Sequence, residues 1–156
     1  MLDSLKQDID NLTAFDWKEE LDNIIDTNKD AILTLQTEQM ASGVDGNKEP
    51  TTLDGNGYTP YTKDMKEKYG EGLGAVTDMV TGYMTGELYS TMEVVTDENT
   101  FTMESPVEYF PALLERTGVE WARMNDDYAQ QFADNVTLPA IQIIFKEKTG
   151  FEIESE

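Results

Sequence analysis

The chain has 156 residues, with 32 Asp and Glu against 11 Lys and Arg, no His and no Cys, and a formal charge of −21. That is one domain's worth of sequence, and 38% hydrophobic with 10% aromatic residues can build a core, which argues against wholesale disorder. The zero counts exclude disulfides, thiolate metal sites, thiol nucleophiles and imidazole bases, and the acid disfavours binding to phosphate and to anionic membranes.

MLDSLKQDID, the first ten residues, holds three acidic groups and no apolar run, so no signal peptide is expected. No stretch reaches the ~18 apolar residues of a transmembrane helix. Leu2, Leu5, Ile9 and Leu12 recur at helical spacing and predict a first helix. Asp16-Trp17-Lys18-Glu19 reads as a capping box. Behind it Trp17, Leu21, Ile24, Ala31 and Leu35, with Ile25 and Ile32 beside them, predict a long helix to about Met40, its stripe interrupted at Asn28.

Residues 42–58 hold Gly43, Gly46, Gly55 and Gly57 among Asp and Asn and read as a flexible loop. Neither Asp45-Gly46-Asn47 nor Asp54-Gly55-Asn56 has the Gly and Glu spacing of a calcium loop. Thr59-Pro60 predicts a cap for a short helix over Tyr61–Tyr69 that stops at Gly70. Its Lys63, Lys66 and Lys68 form the one basic cluster and are expected to face neighbouring acid.

Ala75–Tyr83 reads as extended, and Thr85 as the cap of one or two helical turns through Leu88 and Tyr89. Met92–Thr96 and Thr100–Ser105 alternate around Asp97-Glu98-Asn99 and predict a β-hairpin. Met92, Val94, Phe101 and Met103 would face the core; Glu93, Val95, Thr100, Thr102 and Glu104 would face outward. Val107–Arg116 reads as a helix ending before Gly118. A final helix starts near Asn125-Asp126-Asp127, with a kink at Pro139, Lys146 and Lys148 in its last turn and Gly150 at its end.

The expected fold is therefore α+β: a small antiparallel sheet formed by a β-hairpin, packed by several helices, with a long N-terminal helix and a kinked C-terminal one. A single domain covers 1–156, divided into N-terminal helices (1–41), the loop (42–58), and an α+β core with the C-terminal helix (59–156). No spacing marks a catalytic, cofactor or metal site, so no enzyme and no cofactor are expected. Carboxylate chemistry remains open by composition, but Asp126-Asp127 is better explained as a helix start.

Three stretches between Asp54 and Gly118, in order DGNGYTPYTKDMKEKYG, VTGYMTGELYSTMEVVTDENTFTMES and VEYFPALLERTG, resemble tailed-bacteriophage morphogenesis proteins of the head–tail joining and tail-completion group. The matching pieces are Pro60, Tyr61 and Lys66; the turn Thr85, Gly86, Glu87 and Leu88; Tyr109; and Leu114, Glu115 and Gly118. Fewer lysines surround the Tyr/Lys helix here than in that group.

The resemblance implies a structural virion component, made in the bacterial cytoplasm, that forms a homo-oligomeric ring at the neck or upper tail beside other connector and tail proteins. DNA would pass such a ring without specific binding. No Lys or Arg lies between Tyr69 and Glu115, so an acidic face there would keep the duplex centred by repulsion. The candidate channel-facing groups are Glu93, Asp97, Glu98 and Glu104; the other reading of them is a solvated outer face. Ring contacts would be heterologous, with Trp17, Leu21, Ile24 and Leu35 as the candidate subunit interface. The rival from another class is an acidic DNA mimic that occupies a basic partner.

Overall fold

The computed structural model describes residues 2–97 and 100–153. Helices make up 60% of it and strands 8%, so the helices supply most of the walls of the core. The fold is α+β, as its sequence pattern predicts.

Helix α1 (Leu2–Thr13) leads to Asp16, whose carboxylate accepts from the amides of Lys18 (3.0 Å) and Glu19 (3.1 Å) and so caps α2 (Trp17–Thr27). The run expected over residues 17–40 is helical except at Asn28, where it divides into α2 and α3 (Lys29–Ala41). Asn28 takes φ −114° and ψ 28°, and its side-chain amide donates to the Ile24 carbonyl at 2.8 Å. A short polar side chain competes with the helical ladder in this way and favours a break. Its consequence is a division of labour. Ile24 packs with Phe15 and Ile141 in one small core, while Ile32 and Leu35 join the main core.

The loop that follows is tied at several points. Thr51 donates its amide to Gly43 (2.8 Å), Gly46 to Glu120 (2.7 Å) and Asp54 to Arg116 (2.8 Å). The Asp45 carboxylate accepts from the amides of Asn47 and Glu49, an Asx-type turn, and Asp54 pairs with Arg116. Thr59 caps α4 (Pro60–Tyr69), accepting from the Thr62 amide at 3.2 Å.

Residues 75–83 do not form a strand. After a 3₁₀ turn at Gly72–Ala75, the backbone runs irregularly and its polar groups are satisfied by side chains. The Tyr58 hydroxyl accepts from the amides of Thr81 (3.1 Å) and Gly82 (3.0 Å), and the Tyr89 hydroxyl donates to the Thr81 carbonyl (2.6 Å). Such clamps replace a ladder, and they let Val80 and Thr81 be buried without one.

Helix α5 (Glu87–Thr91) begins after Gly86, not from a Thr85 cap. Gly86 is the N-cap at φ +88°, and Thr85 Oγ1 stands 3.5 Å from the Glu87 amide, at the far limit of a hydrogen bond. A Cβ on Gly86 would meet the Tyr83 hydroxyl at 2.6 Å, so close approach and backbone angle both require glycine.

Strands β1 (Glu93–Asp97) and β2 (Thr100–Glu104) pair antiparallel, with Val94 opposite Met103 and Thr96 opposite Phe101. Met92, Val94 and Met103 are buried, and β1 packs against α3 and α2. The inner face of the hairpin is thus core. Helix α6 (Phe110–Thr117) starts three residues later than its pattern predicts, with Pro111 in the first turn and Gly118 beyond the end.

A 3₁₀ turn at Val119–Ala122 plants Trp121, fully buried, in the middle of the main core with Leu88, Phe110 and Phe132. Asn125 caps α7 (Asp126–Phe132) through the amides of Asp127 and Tyr128. The C-terminal helix then passes through a π turn, Ala133–Thr137, into α8 (Leu138–Thr149), at an angle of 22°. Pro139 has no N–H for the carbonyl four residues back, and its ring crowds that carbonyl. The wider turn that precedes it accommodates both effects, with the Leu138 amide reaching back to the Ala133 carbonyl. Gly150 closes α8 at φ +79°.

Candidate functional site

The hairpin presents its acid outward. Glu93 and Glu104 are exposed and stand directly opposite each other in the ladder, flanked by Val95 opposite Thr102. Asp97 ends β1; its side chain and the whole of Glu98 lie outside the described residues. Glu93 and Glu104 thus share one solvent-facing surface that carries no cation among the described ion pairs.

Of the candidate interface residues, Ile24 (3% exposed) and Leu35 (8%) are spent on the chain's own cores. Their burial follows from the break at Asn28, which turns α2 and α3 onto different parts of the fold. Trp17 (47%) and Leu21 (37%) keep part of their apolar surface exposed. Trp17 is not loose, for its ring stacks on Phe145 at 5.3 Å and meets Phe15 edge-on at 4.6 Å. Exposed Ile9 and Leu12 of α1 add further apolar surface in the N-terminal region.

Residues far apart in sequence meet around a cleft of about 340 Å³ between α4, the 82–87 turn and α6. Lys66, Thr85, Glu87 and Tyr109 line it with Leu113 and Arg116. Leu88, by contrast, is buried beneath the turn in the main core. Lys66 does not face acid as its sequence context predicts. Its side chain is buried, its ammonium donates to the Tyr83 carbonyl, and it lies 4.9 Å from the centre of the Tyr58 ring. Lys63 and Lys68 are exposed, and the Lys68 ammonium lies over Tyr69.

Burial without a carboxylate partner holds the Lys66 ammonium below its ordinary value. Burial, and after it the negative charge of Glu87, pushes the Tyr109 phenol up. Burial likewise pushes up Tyr89, with smaller contributions from Tyr58 and Tyr83. The cleft therefore combines one phenol, Tyr109, that holds its proton more tightly than usual, one buried cation and the Arg116 guanidinium, which Asp54 holds at 2.9 Å.

Gln39 carries a role that hydropathy patterning hides, because a polar side chain on a core-facing helix looks like a gap in the stripe. Gln39 donates to the Arg123 carbonyl (2.8 Å) and accepts from the Asn125 amide (2.7 Å), fixing the residue that caps α7. The spacing of three between two glutamines on α3 is the signal that was available.

No protein-family model matches the chain, and no curated protein or solved structure matches it.

Proposed function

We propose that this chain is a non-enzymatic structural component of a tailed-bacteriophage virion that forms a ring at the head–tail connector, neck or tail-completion site. The observation that carries the reading is convergence. Lys66, Thr85, Glu87 and Tyr109, drawn from three of the four pieces that carry the resemblance, line a single cleft, whereas Tyr61, Leu114, Glu115 and Gly118 lie outside it. The acidic outer face of the hairpin supports the second half of the reading: Glu93 and Glu104 are solvent-facing and uncompensated, as a surface that DNA must pass without adhering requires. Trp17, stacked on Phe145, and Leu21 are both exposed and offer one of the two unlike surfaces that a ring contact needs.

Mass measurement of the purified protein, with immunolabelling of particles, tests the proposal. Protein that copurifies with virions and localises to the neck or upper tail supports it. A soluble monomer absent from particles, displaced by salt from a basic partner, overturns it in favour of the DNA mimic.

A further inference from the structure

The hairpin has a second unfilled surface, at its edge. β1 packs on α3 and α2, whereas β2 makes its main contacts with β1 alone. The register leaves two residues between Asp97 and Thr100, so the closing pair exchanges both ladder bonds, as do Val95 with Thr102 and Glu93 with Glu104. By that alternation the backbone N–H and C=O of Phe101 and Met103 point away from β1. Among the described residues no other backbone group pairs with them.

Beside this edge runs a groove of about 590 Å³, bounded across from β2 by α6 and the 119–122 turn. Phe110, Pro111, Leu114, Val119 and Ala122 make it largely apolar, and Arg123, the one cation in its wall, is paired with Glu120 at 2.8 Å. Val119 is 76% exposed, the highest value among the exposed large apolar side chains. A row of free backbone groups alongside an apolar trough is the arrangement into which an extended peptide adds as a strand.

We infer that the β2 edge and this groove receive an extended segment of a different protein, one in which apolar residues alternate with Lys or Arg. The alternation follows from strand geometry. A strand laid along β2 turns every second side chain into the groove and the others onto the outer face, beside Glu104 and Thr102. Acid on that face selects cations, since like charges placed side by side on a sheet repel. This chain does not supply such a segment. The 70–86 stretch has no Lys or Arg, and the tail Phe151-Glu152-Ile153 alternates apolar residues with acid. A second copy is therefore the wrong occupant. The inference stands on the edge, the groove and the charge, and does not depend on the ring reading.

The experiment uses the full chain and three synthetic peptides, acetylated and amidated: KVKIKVK, its scramble KKVIVKK, and EVEIEVE. Amide exchange is read by NMR at physiological salt, where diffuse attraction between a basic peptide and an acidic protein is screened. The alternating basic peptide should bind saturably at 1:1 and slow exchange at Phe101 and Met103 by about tenfold or more, leaving Thr102 unchanged. The scramble should bind at least about tenfold more weakly without that signature. Val119→Ser, at an exposed position that the fold does not need, should weaken the alternating peptide by about tenfold. Glu104→Lys should weaken it too and admit EVEIEVE. Equal binding of the scramble, protection absent from Phe101 and Met103, or indifference to Val119→Ser would each overturn strand addition at this edge.

Discussion

The buried ammonium of Lys66 donates to the carbonyl of Tyr83 and has no carboxylate beside it, in a chain with 32 acidic side chains. The bond adds to the Tyr58 and Tyr89 clamps that hold the 75–83 segment without a strand partner, and it fixes the cleft wall formed by Tyr83 to α4. It also sets a pH dependence. Burial holds Lys66 below the ordinary lysine value of 10.5, so between its lowered value and 10.5 the unfolded chain binds a proton that the folded chain has released. Stability contributed at this residue therefore rises with pH across that window. Lys66→Met removes the titration, and unfolding in urea at pH values from about 7.5 up to 10.5 should show wild type gaining on the variant as the pH rises through that window. Tyr89 and Tyr109, whose raised phenols act in the opposite sense above their ordinary value of 10.0, are common to both proteins and cancel in the difference. An unchanged difference would mean that Lys66 is not held charged against burial.

Gln39 and Gln36 make a matched pair of tests. Both are fully buried on α3, yet Gln39 serves two backbone groups at 2.8 and 2.7 Å, whereas Gln36 reaches the Trp121 carbonyl only at 3.4 Å and leaves its own carbonyl oxygen unpartnered. Gln39→Met strands a buried acceptor and a buried donor and should cost about 2–4 kcal/mol. Gln36→Met exchanges a poorly satisfied amide for an apolar side chain of similar size and should fall within about 1 kcal/mol of wild type. Urea midpoints of the two variants decide the matter, and equal costs would remove the assigned role of Gln39.

The difference between these glutamines also marks where sequence reading stops. Helices with caps were legible because a cap is local: Asp16, Thr59 and Asn125 each name their helix start within three residues. The hairpin was legible for the same reason, its alternation and polar turn lying within one short stretch. Residues 75–83 were not. Their β-rich composition is overridden by Tyr58, Lys66 and Tyr89, which reach them from elsewhere in the chain. The same holds for Ile24 and Leu35. An apolar stripe records that a residue is covered, and only the break at Asn28 determines that the cover is the chain itself. The cleft was legible in its parts and not in its assembly, because no local pattern relates Lys66 to Tyr109.

Gly82 tests the clamp from the other side. It sits at φ +69°, and a Cβ there would lie 2.5 Å from the ring of Trp121, the side chain at the centre of the main core. Gly82→Ala should therefore cost about 3 kcal/mol or more, combining left-handed backbone strain with displacement of a packed indole. Gly150→Ala is the control: its φ of +79° and ψ of 0° are left-handed helical with open space around it, so strain acts alone and the cost should stay near about 1–2 kcal/mol. Thermal unfolding with tryptophan fluorescence separates the two, since the Gly82 variant should also disturb Trp121. Equal costs without a fluorescence change would show that Trp121 yields freely.

Glu104→Lys sets stability against the proposed function. Glu93 faces Glu104 across the ladder, and both are exposed. Like charges directly opposite in an antiparallel pair are destabilising, so Lys at 104 replaces a repulsion with an attraction and should stabilise the fold by about 0.5–1 kcal/mol at low ionic strength. Salt should shrink that gain, because both groups are in solvent. A pair kept at a cost in stability is expected where its charge is used. If the hairpin face repels DNA within a particle, the variant should melt later than wild type at low salt yet give particles that release DNA more slowly, because a lysine in that ring attracts the duplex. Calorimetry at low and high salt reads the first effect, and DNA release from complemented particles reads the second. A stabilised variant with unaltered release would leave Glu93 and Glu104 as a solvated face with no part in DNA passage.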